Sequence, residues 1–140
     1  MQNPTPYHRP MNEIILKSAV PILFVRDVSA SAAFFREKLG FEINFLYGTP
    51  PFYSSVSRGK ACLHLRCVHR PNFAELATQE VSLILTTVEV SDVQGLFEEF
   101  KERGVEFTQM PTKQPWGGTD FHVRDPDGNV ISFVTYGQRQ

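Results

Sequence analysis

Two stretches of the chain share one pattern of apolar and polar positions. In each, an apolar run is followed by an aspartate, Asp27 or Asp92, and then by large apolar residues at helical spacing. The aspartates, or the adjacent serines Ser29 and Ser91, are favourable helix N-caps. A glycine ends each helical stretch, as is typical of helix C-termini. The pattern predicts strands over 21–25 and 83–90, followed by helices over 29–39 and 94–103.

The two stretches belong to an internal repeat. The offset is 65 residues between the aspartates and 64 between Gly40 and Gly104, which follow the helices. The segment Asp125–Gly128 predicts a hairpin turn before the last strand. The β-type runs after the helices are 41–47, 52–57 and 61–68 in the first half, and 105–110, 119–124 and 129–136 in the second. The sequence therefore predicts an α+β fold made of two β-α-β-β-β modules.

The repeat also sets the domain organisation. Residues 1–18 are predicted to be a flexible leader, because the first ten residues contain three prolines and a single arginine. The rest is predicted to be one domain over 19–137, with modules 19–68 and 81–137. Residues 69–80, polar and with one proline, link the modules.

Composition and charge exclude two classes of partner. Of the 140 residues 41% are hydrophobic, which is typical of a folded interior. The longest apolar stretch, Ala19–Val25, has seven residues, whereas a transmembrane helix needs about 20. There are 14 Lys and Arg against 15 Asp and Glu, without the basic excess of a nucleic-acid binder. We therefore expect neither a membrane nor a nucleic-acid partner.

The two cysteines do not suggest a disulfide framework. Cys62 and Cys67 lie five residues apart on one predicted strand, and they therefore point to opposite faces of it. Since the chain also lacks a signal-peptide pattern, we expect a cytoplasmic protein.

Several segments are similar to one superfamily. Phe34–Phe41 reads Phe-Phe-Arg-Glu-Lys-Leu-Gly-Phe, Trp116–Thr119 reads Trp-Gly-Gly-Thr, and Asp125–Asn129 reads Asp-Pro-Asp-Gly-Asn. Together with Val25–Val28, these segments resemble the vicinal oxygen chelate superfamily, which includes glyoxalase I, extradiol dioxygenases and bleomycin-resistance proteins. The resemblance covers 19–137. It implies paired modules that form a curved mixed sheet around a cleft, usually completed in a homodimer.

Enzymes of this superfamily usually hold a divalent metal, and the resemblance implies where the ligands would lie in this chain. The matching positions are Val20, Leu85, Ser132 and His64. Only His64 is an imidazole or carboxylate donor, whereas a divalent metal site needs three or more such donors. We therefore predict no metal and no other cofactor. An unrelated site that uses His64, His122 and Glu89 is the alternative.

No catalytic residue is predicted. The serines of Ser54–Ser57 lack the strand–turn–helix context of a nucleophilic serine. Cys62 and His64 share one face of a predicted strand, where both a nucleophile pair and ordinary strand packing remain open.

Aromatic side chains are abundant, with 12 Phe, 4 Tyr and one Trp, and several of them fall outside the helical core positions. Combined with a few polar residues, they predict an apolar pocket for a planar ligand. The predicted ligand-binding residues are Phe24, Phe45, Tyr47, Phe52, Tyr53, His64, Arg66, Glu89, Trp116 and Ser132.

The missing metal donors favour the bleomycin-resistance branch of the superfamily. That branch implies a metal-independent protein that sequesters a planar or aromatic small molecule in a cleft between two subunits. A net charge of −1 offers little acidic surface to a strongly cationic ligand, so the identity of the ligand stays open. The alternative is a metal-dependent glyoxalase- or dioxygenase-type lyase or oxygenase of the same superfamily.

Overall fold

The computed structural model describes residues 13–137. Residues 1–12 of the predicted leader lie outside the described residues, and residues 13–18 are exposed and have no regular secondary structure. In chain order the elements are β1 (Ile22–Val25), α1 (Val28–Leu39), β2 (Glu42–Tyr47), β3 (Tyr53–Arg58), β4 (Ala61–Cys67), α2 (Phe73–Ala77), β5 (Thr86–Glu89), α3 (Val93–Glu102), β6 (Phe107–Lys113), β7 (Gly118–Arg124) and β8 (Val130–Tyr136).

The strands form two four-stranded mixed sheets, one in each module. The first sheet has the order β1-β4-β3-β2 and the second has the order β5-β8-β7-β6. In both sheets the first strand pairs in parallel with the last, and the other pairs are antiparallel. The predicted α+β class and the β-α-β-β-β repeat are confirmed, and each module keeps its own sheet.

The two long helices begin at equivalent caps. The Asp27 carboxylate accepts a hydrogen bond from the backbone N–H of Ala30 at 3.0 Å, and Asp92 accepts one from Gly95 at the same distance. Such a cap contributes about 1 kcal/mol to helix stability. Helix α1 ends at Gly40, whose φ of 74° lies in the left-handed region. Each helix therefore starts directly after its aspartate, and not after the neighbouring serine.

Three predicted elements need correction. The strand predicted over 83–90 is shorter and forms only Thr86–Glu89, whereas β6 is longer than predicted and ends at Lys113. The residue Pro111 is tolerated inside β6 because this is an edge strand and its pairing register shifts between Gln109 and Thr112. The predicted linker contains the short helix α2.

One hydrophobic core lies between the helices and the sheets. Phe35, Phe100 and Phe121 are fully buried in it, and Phe133 is 2% exposed. The rings of Phe100 and Phe133 meet edge to face with centroids 5.2 Å apart. Burial of one such side chain contributes about 1.5–3 kcal/mol to folding. This core fixes which face of each sheet is covered and which is left open.

Candidate functional site

The first sheet presents an open face on the side away from α1. On β4, Leu63 and Leu65 are buried in the core, so the intervening His64 points to the opposite face. Directly paired residues share a face, and Arg66 is paired with both Phe24 and Tyr53. We call this surface the aromatic face; its residues are Phe24, Phe45, Tyr47, Tyr53, His64 and Arg66.

Three side chains of the aromatic face form a compact cluster. Phe45 stacks on Tyr53 with ring centroids 6.4 Å apart and planes 13° from parallel. Tyr53 meets His64 edge to face at 5.3 Å, and its hydroxyl is hydrogen-bonded to His64 Nδ1 at 2.8 Å. The hydrogen bond fixes both rings, while Phe45 remains 44% exposed. The cluster is therefore an ordered aromatic surface that solvent can reach.

Phe24 and Arg66 extend the face beside this cluster. Phe24 is 50% exposed, and it borders a cavity of about 190 Å³ that Phe73 and Leu76 of the linker helix region also line. Arg66 is exposed and donates a hydrogen bond to the carbonyl of Cys67. Within residues 13–137 the Arg66 guanidinium makes no ion pair, so it supplies a free positive charge at the edge of the apolar surface.

Tyr47 and Phe52 flank the loop between β2 and β3. Their rings meet edge to face at 5.5 Å, and Tyr47 is paired across the strands with Tyr53 of the cluster. A β-carbon on Gly48, whose φ is 106°, would lie 2.7 Å from the Phe52 ring. The glycine is therefore needed for the close approach of Phe52 to the loop.

The other three predicted ligand-binding residues lie on the second module. Trp116 is 58% exposed and packs against Tyr136 with ring centroids 5.8 Å apart. Glu89 is exposed at the end of β5, and Ser132 is only 1% exposed. In the described part of the chain, no ring contact or hydrogen bond joins these three to the aromatic face. Within one chain these three residues therefore lie apart from the aromatic face.

Sequence reasoning missed a buried polar cluster on the second sheet. Asp120 accepts hydrogen bonds from the side-chain amides of Gln109 at 2.7 Å and Gln114 at 2.9 Å. Its other carboxylate oxygen lies 3.4 Å from His122 Nε2. Since His122 pairs with Ser132, strand alternation was the signal that could have located the cluster. The carboxylate therefore helps to fix the orientation of the imidazole.

The matching metal positions do not fit a divalent metal. Ser132 is buried and is paired with His122 on the neighbouring strand. Leu85 and Val20 carry hydrocarbon side chains, and His64 is hydrogen-bonded to Tyr53. Across residues 13–137, no three His, Cys, Asp or Glu side chains lie close enough together to hold a metal ion. The alternative set of His64, His122 and Glu89 therefore does not form a site within one chain. Both cysteines are free thiols.

The lengths of the helices bear on whether any of them could span a membrane. None of the helices in the described residues is long and apolar enough to cross a membrane.

Known proteins share this sequence pattern and this fold. The sequence profile of the Glyoxalase/Bleomycin resistance protein/Dioxygenase superfamily matches residues 15–133. A bleomycin resistance protein of Geobacillus stearothermophilus is 29% identical over 126 residues, covering 82% of this chain and 93% of that protein. The uncharacterized protein YetH of Bacillus subtilis (strain 168) is 29% identical over 109 residues, covering 78% of this chain and 89% of that protein.

A solved structure gives the corresponding comparison of folds. The bleomycin-binding protein of the bleomycin producer Streptomyces verticillus, crystallised with copper(II)-bleomycin, is 28% identical to this chain. The two superpose with a TM-score of 0.70 over 90% of this chain and 100% of that one.

Proposed function

This chain belongs to the Glyoxalase/Bleomycin resistance protein/Dioxygenase superfamily, and from this premise we propose that it is a metal-independent binding protein. It sequesters a planar or aromatic small molecule of the bleomycin type on its aromatic face, without converting it. Residues 19–137 act as the binding unit. Relatives that bear a bleomycin resistance or bleomycin-binding name support this ligand class.

The observation that carries the proposal is the ordered cluster of Phe45, Tyr53 and His64. A flat ring that stacks beside Phe45 would cover apolar surface without first ordering these side chains. Preorganisation of this kind lowers the cost of binding, because Tyr53 and His64 already hold one another through their hydrogen bond. The free charge of Arg66 beside the cluster would orient a polar substituent of the ligand.

We further propose that a homodimer completes the binding cleft. The second-module residues Glu89, Ser132 and Trp116 are separated from the aromatic face within one chain. In a two-fold symmetric pair, the second sheet of one copy would cover the aromatic face of the other, and both faces would be covered equally. Ile22 and Phe24, which are 48% and 50% exposed, would be buried in the same contact. Light scattering at micromolar protein that gives the monomer mass of 15.9 kDa would contradict this assembly.

Calorimetric titration of bleomycin and copper(II)-bleomycin, in buffer containing EDTA for the metal-free form, tests the binding proposal. Phe45→Ala should weaken binding about tenfold or more, since it removes the stacking surface of the cluster. Leu46→Ala is the matched control: Leu46 is the next residue of β2, it is 46% exposed against 44% for Phe45, and it points to the opposite face.

The outcomes of this titration separate binding from the alternative function. Equal losses in the two variants would show that the ligand does not use the aromatic face. Metal analysis of protein purified without a metal-affinity tag completes the test, because stoichiometric Ni, Zn, Fe or Mn bound to the protein itself would favour a metal-dependent enzyme of the superfamily.

A further inference from the structure

The two modules differ in the turn that joins their last two strands. In the second module β7 and β8 are joined by the five residues Asp125–Asn129, whereas in the first module β3 and β4 are joined by Gly59 and Lys60 alone. The longer turn has room to reach beyond its own sheet.

The longer turn closes onto the first module. Asp127 accepts a hydrogen bond from the backbone N–H of Arg26 at 3.0 Å, and the Asn129 side chain donates one to the carbonyl of Phe24 at 3.1 Å. The turn also packs on α2, because a β-carbon on Gly128 would lie 2.5 Å from that of Ala74. The junction between β1 and α1 is therefore covered by a carboxylate and a carboxamide.

The equivalent junction of the second module is open. By the repeat offset, Phe24 and Arg26 correspond to Glu89 and Ser91. A groove of about 520 Å³ lies there, between the Gly59–Lys60 turn and residues 88–92. A β-carbon on Gly59 would meet no atom within 4 Å. The groove has the volume of a small-molecule site, and the short turn leaves it unfilled.

The groove combines an apolar floor with available polar groups. Leu96 and Phe100 of α3 are among its lining residues. Three carboxylates also line it: Asp92 accepts from the N–H of Gly95 as the cap of α3, Glu99 is paired with Arg58, and Glu89 is exposed at the rim. Within the described residues, the backbone N–H of Ser91 makes no hydrogen bond and Lys60 makes no ion pair, although Arg58 beside it is paired with Glu99. Ser91 thus offers the donor that Arg26 uses in the other module to bind the Asp127 carboxylate.

We propose that this groove is a second binding site, separate from the aromatic face, for a peptide or peptide-like small molecule that presents a carboxylate and an amide. The carboxylate accepts from the Ser91 N–H and pairs with Lys60, as Asp127 does with the N–H and guanidinium of Arg26. The apolar part of the ligand packs on Leu96. We infer the chemistry of the ligand from the first module, where the Asp125–Asn129 turn occupies the equivalent junction.

The test is an NMR titration of the full ¹⁵N-labelled chain with the peptide acetyl-Asp-Pro-Asp-Gly-Asn-amide, which copies the natural occupant of the other junction. We expect saturable shifts of the backbone signals of Lys60, Ser91 and Leu96, with a dissociation constant of about 1 mM or tighter. Signals of Tyr53 and His64 should stay unchanged, because the aromatic face is a different surface.

Charge variants make the test specific. Lys60→Ala should weaken peptide binding about threefold, and Lys60→Glu more, because one exposed ion pair is lost and then reversed. Lys113→Ala, at the exposed end of β6, is the matched control and should bind as the wild type does. Absence of shifts in the groove, shifts confined to the aromatic face, or equal affinities of the Lys60 and Lys113 variants would each overturn the proposal.

Discussion

Arg58 and Glu99 join the two modules through a two-pronged ion pair. Arg58 Nη1 lies 2.9 Å from Glu99 Oε2, and Arg58 Nη2 lies 2.9 Å from Glu99 Oε1. The same guanidinium donates to the carbonyl of Leu39 at the end of α1, and Arg103 reaches the same carboxylate at 3.1 Å. The hydrogen bond from Arg58 lowers the pKa of Glu99. A single carboxylate on α3 thus anchors the end of the first module.

We expect Arg58→Lys to lower the free energy of unfolding by about 1 kcal/mol, because lysine cannot form the two parallel hydrogen bonds. Arg124→Lys is the control, since Arg124 meets Glu106 through one exposed contact of 2.9 Å. Because the pKa of Glu99 is lowered on folding, its contribution is present at neutral pH and is lost as the pH falls below the ordinary glutamate range. Urea denaturation at pH 7 and pH 3 should therefore show a larger difference between wild type and variant at pH 7.

A second prediction concerns Asp125, whose carboxylate is buried in the turn before β8. Burial raises its pKa from 3.8 to about 6, although hydrogen bonds from Asn129 and Asp127 favour the ionised form. A raised pKa means that the folded state binds this proton more tightly than the unfolded state. The contribution of Asp125 to the free energy of unfolding should therefore fall as the pH rises from about 4 to about 6, by about 3 kcal/mol at most.

Asp125→Asn should remove this part of the pH dependence, which urea denaturation at half-unit steps between pH 4 and pH 7 would measure. Asp127→Asn, in the same turn, should retain most of it, because burial is the largest cause of the raised pKa of Asp125 and the Asp127 charge is a smaller one. If the free energy of unfolding of Asp125→Asn changes with pH in parallel with that of the wild type, another group is responsible for the pH dependence.

The sequence predicts those parts of the fold that depend on local chemistry. Residue type limits each helix cap to an aspartate or the adjacent serine, and the structure selects Asp27 and Asp92. The alternation of Leu63, His64 and Leu65 sets the two faces of β4. Helix α2 could not be predicted in this way. It has five residues, and its cap Asn72 makes no side-chain hydrogen bond, so no local signal marks its start.

The candidate site depends more strongly on long-range contacts. Alternation could group Tyr53 with His64, but their hydrogen bond requires the antiparallel register of β3 and β4. Placing Glu89 beside the aromatic residues would require a second copy of the chain, because the two modules have separate sheets and Glu89 of the same chain borders the groove beside Lys60.

A third prediction addresses metal binding. Because Val20, Leu85 and Ser132 stand at the ligand positions of the superfamily's enzymes, added Ni²⁺, Zn²⁺ or Mn²⁺ should not raise the melting temperature through a specific site. A ligand that binds only the native state adds about 2.7 kcal/mol of stability at 100 times its dissociation constant. Scanning calorimetry with each metal would detect a change of that size, and a saturable, EDTA-reversible increase would contradict the prediction.

The last prediction concerns Trp116, the single tryptophan of the chain. Its side chain is 58% exposed, and its ring lies over Gly118, where a β-carbon would collide with it. Since the indole buries little surface in the core, Trp116→Ala should cost less than about 1 kcal/mol of stability. If Trp116 lines the proposed dimer cleft, the same variant should bind bleomycin about tenfold more weakly, because it loses both stacking and buried area. Calorimetric titration of wild type and variant measures this loss, with Met110→Ala, a comparably exposed residue on β6 at 60%, as the control. Wild-type affinity in Trp116→Ala would exclude the indole from the binding cleft.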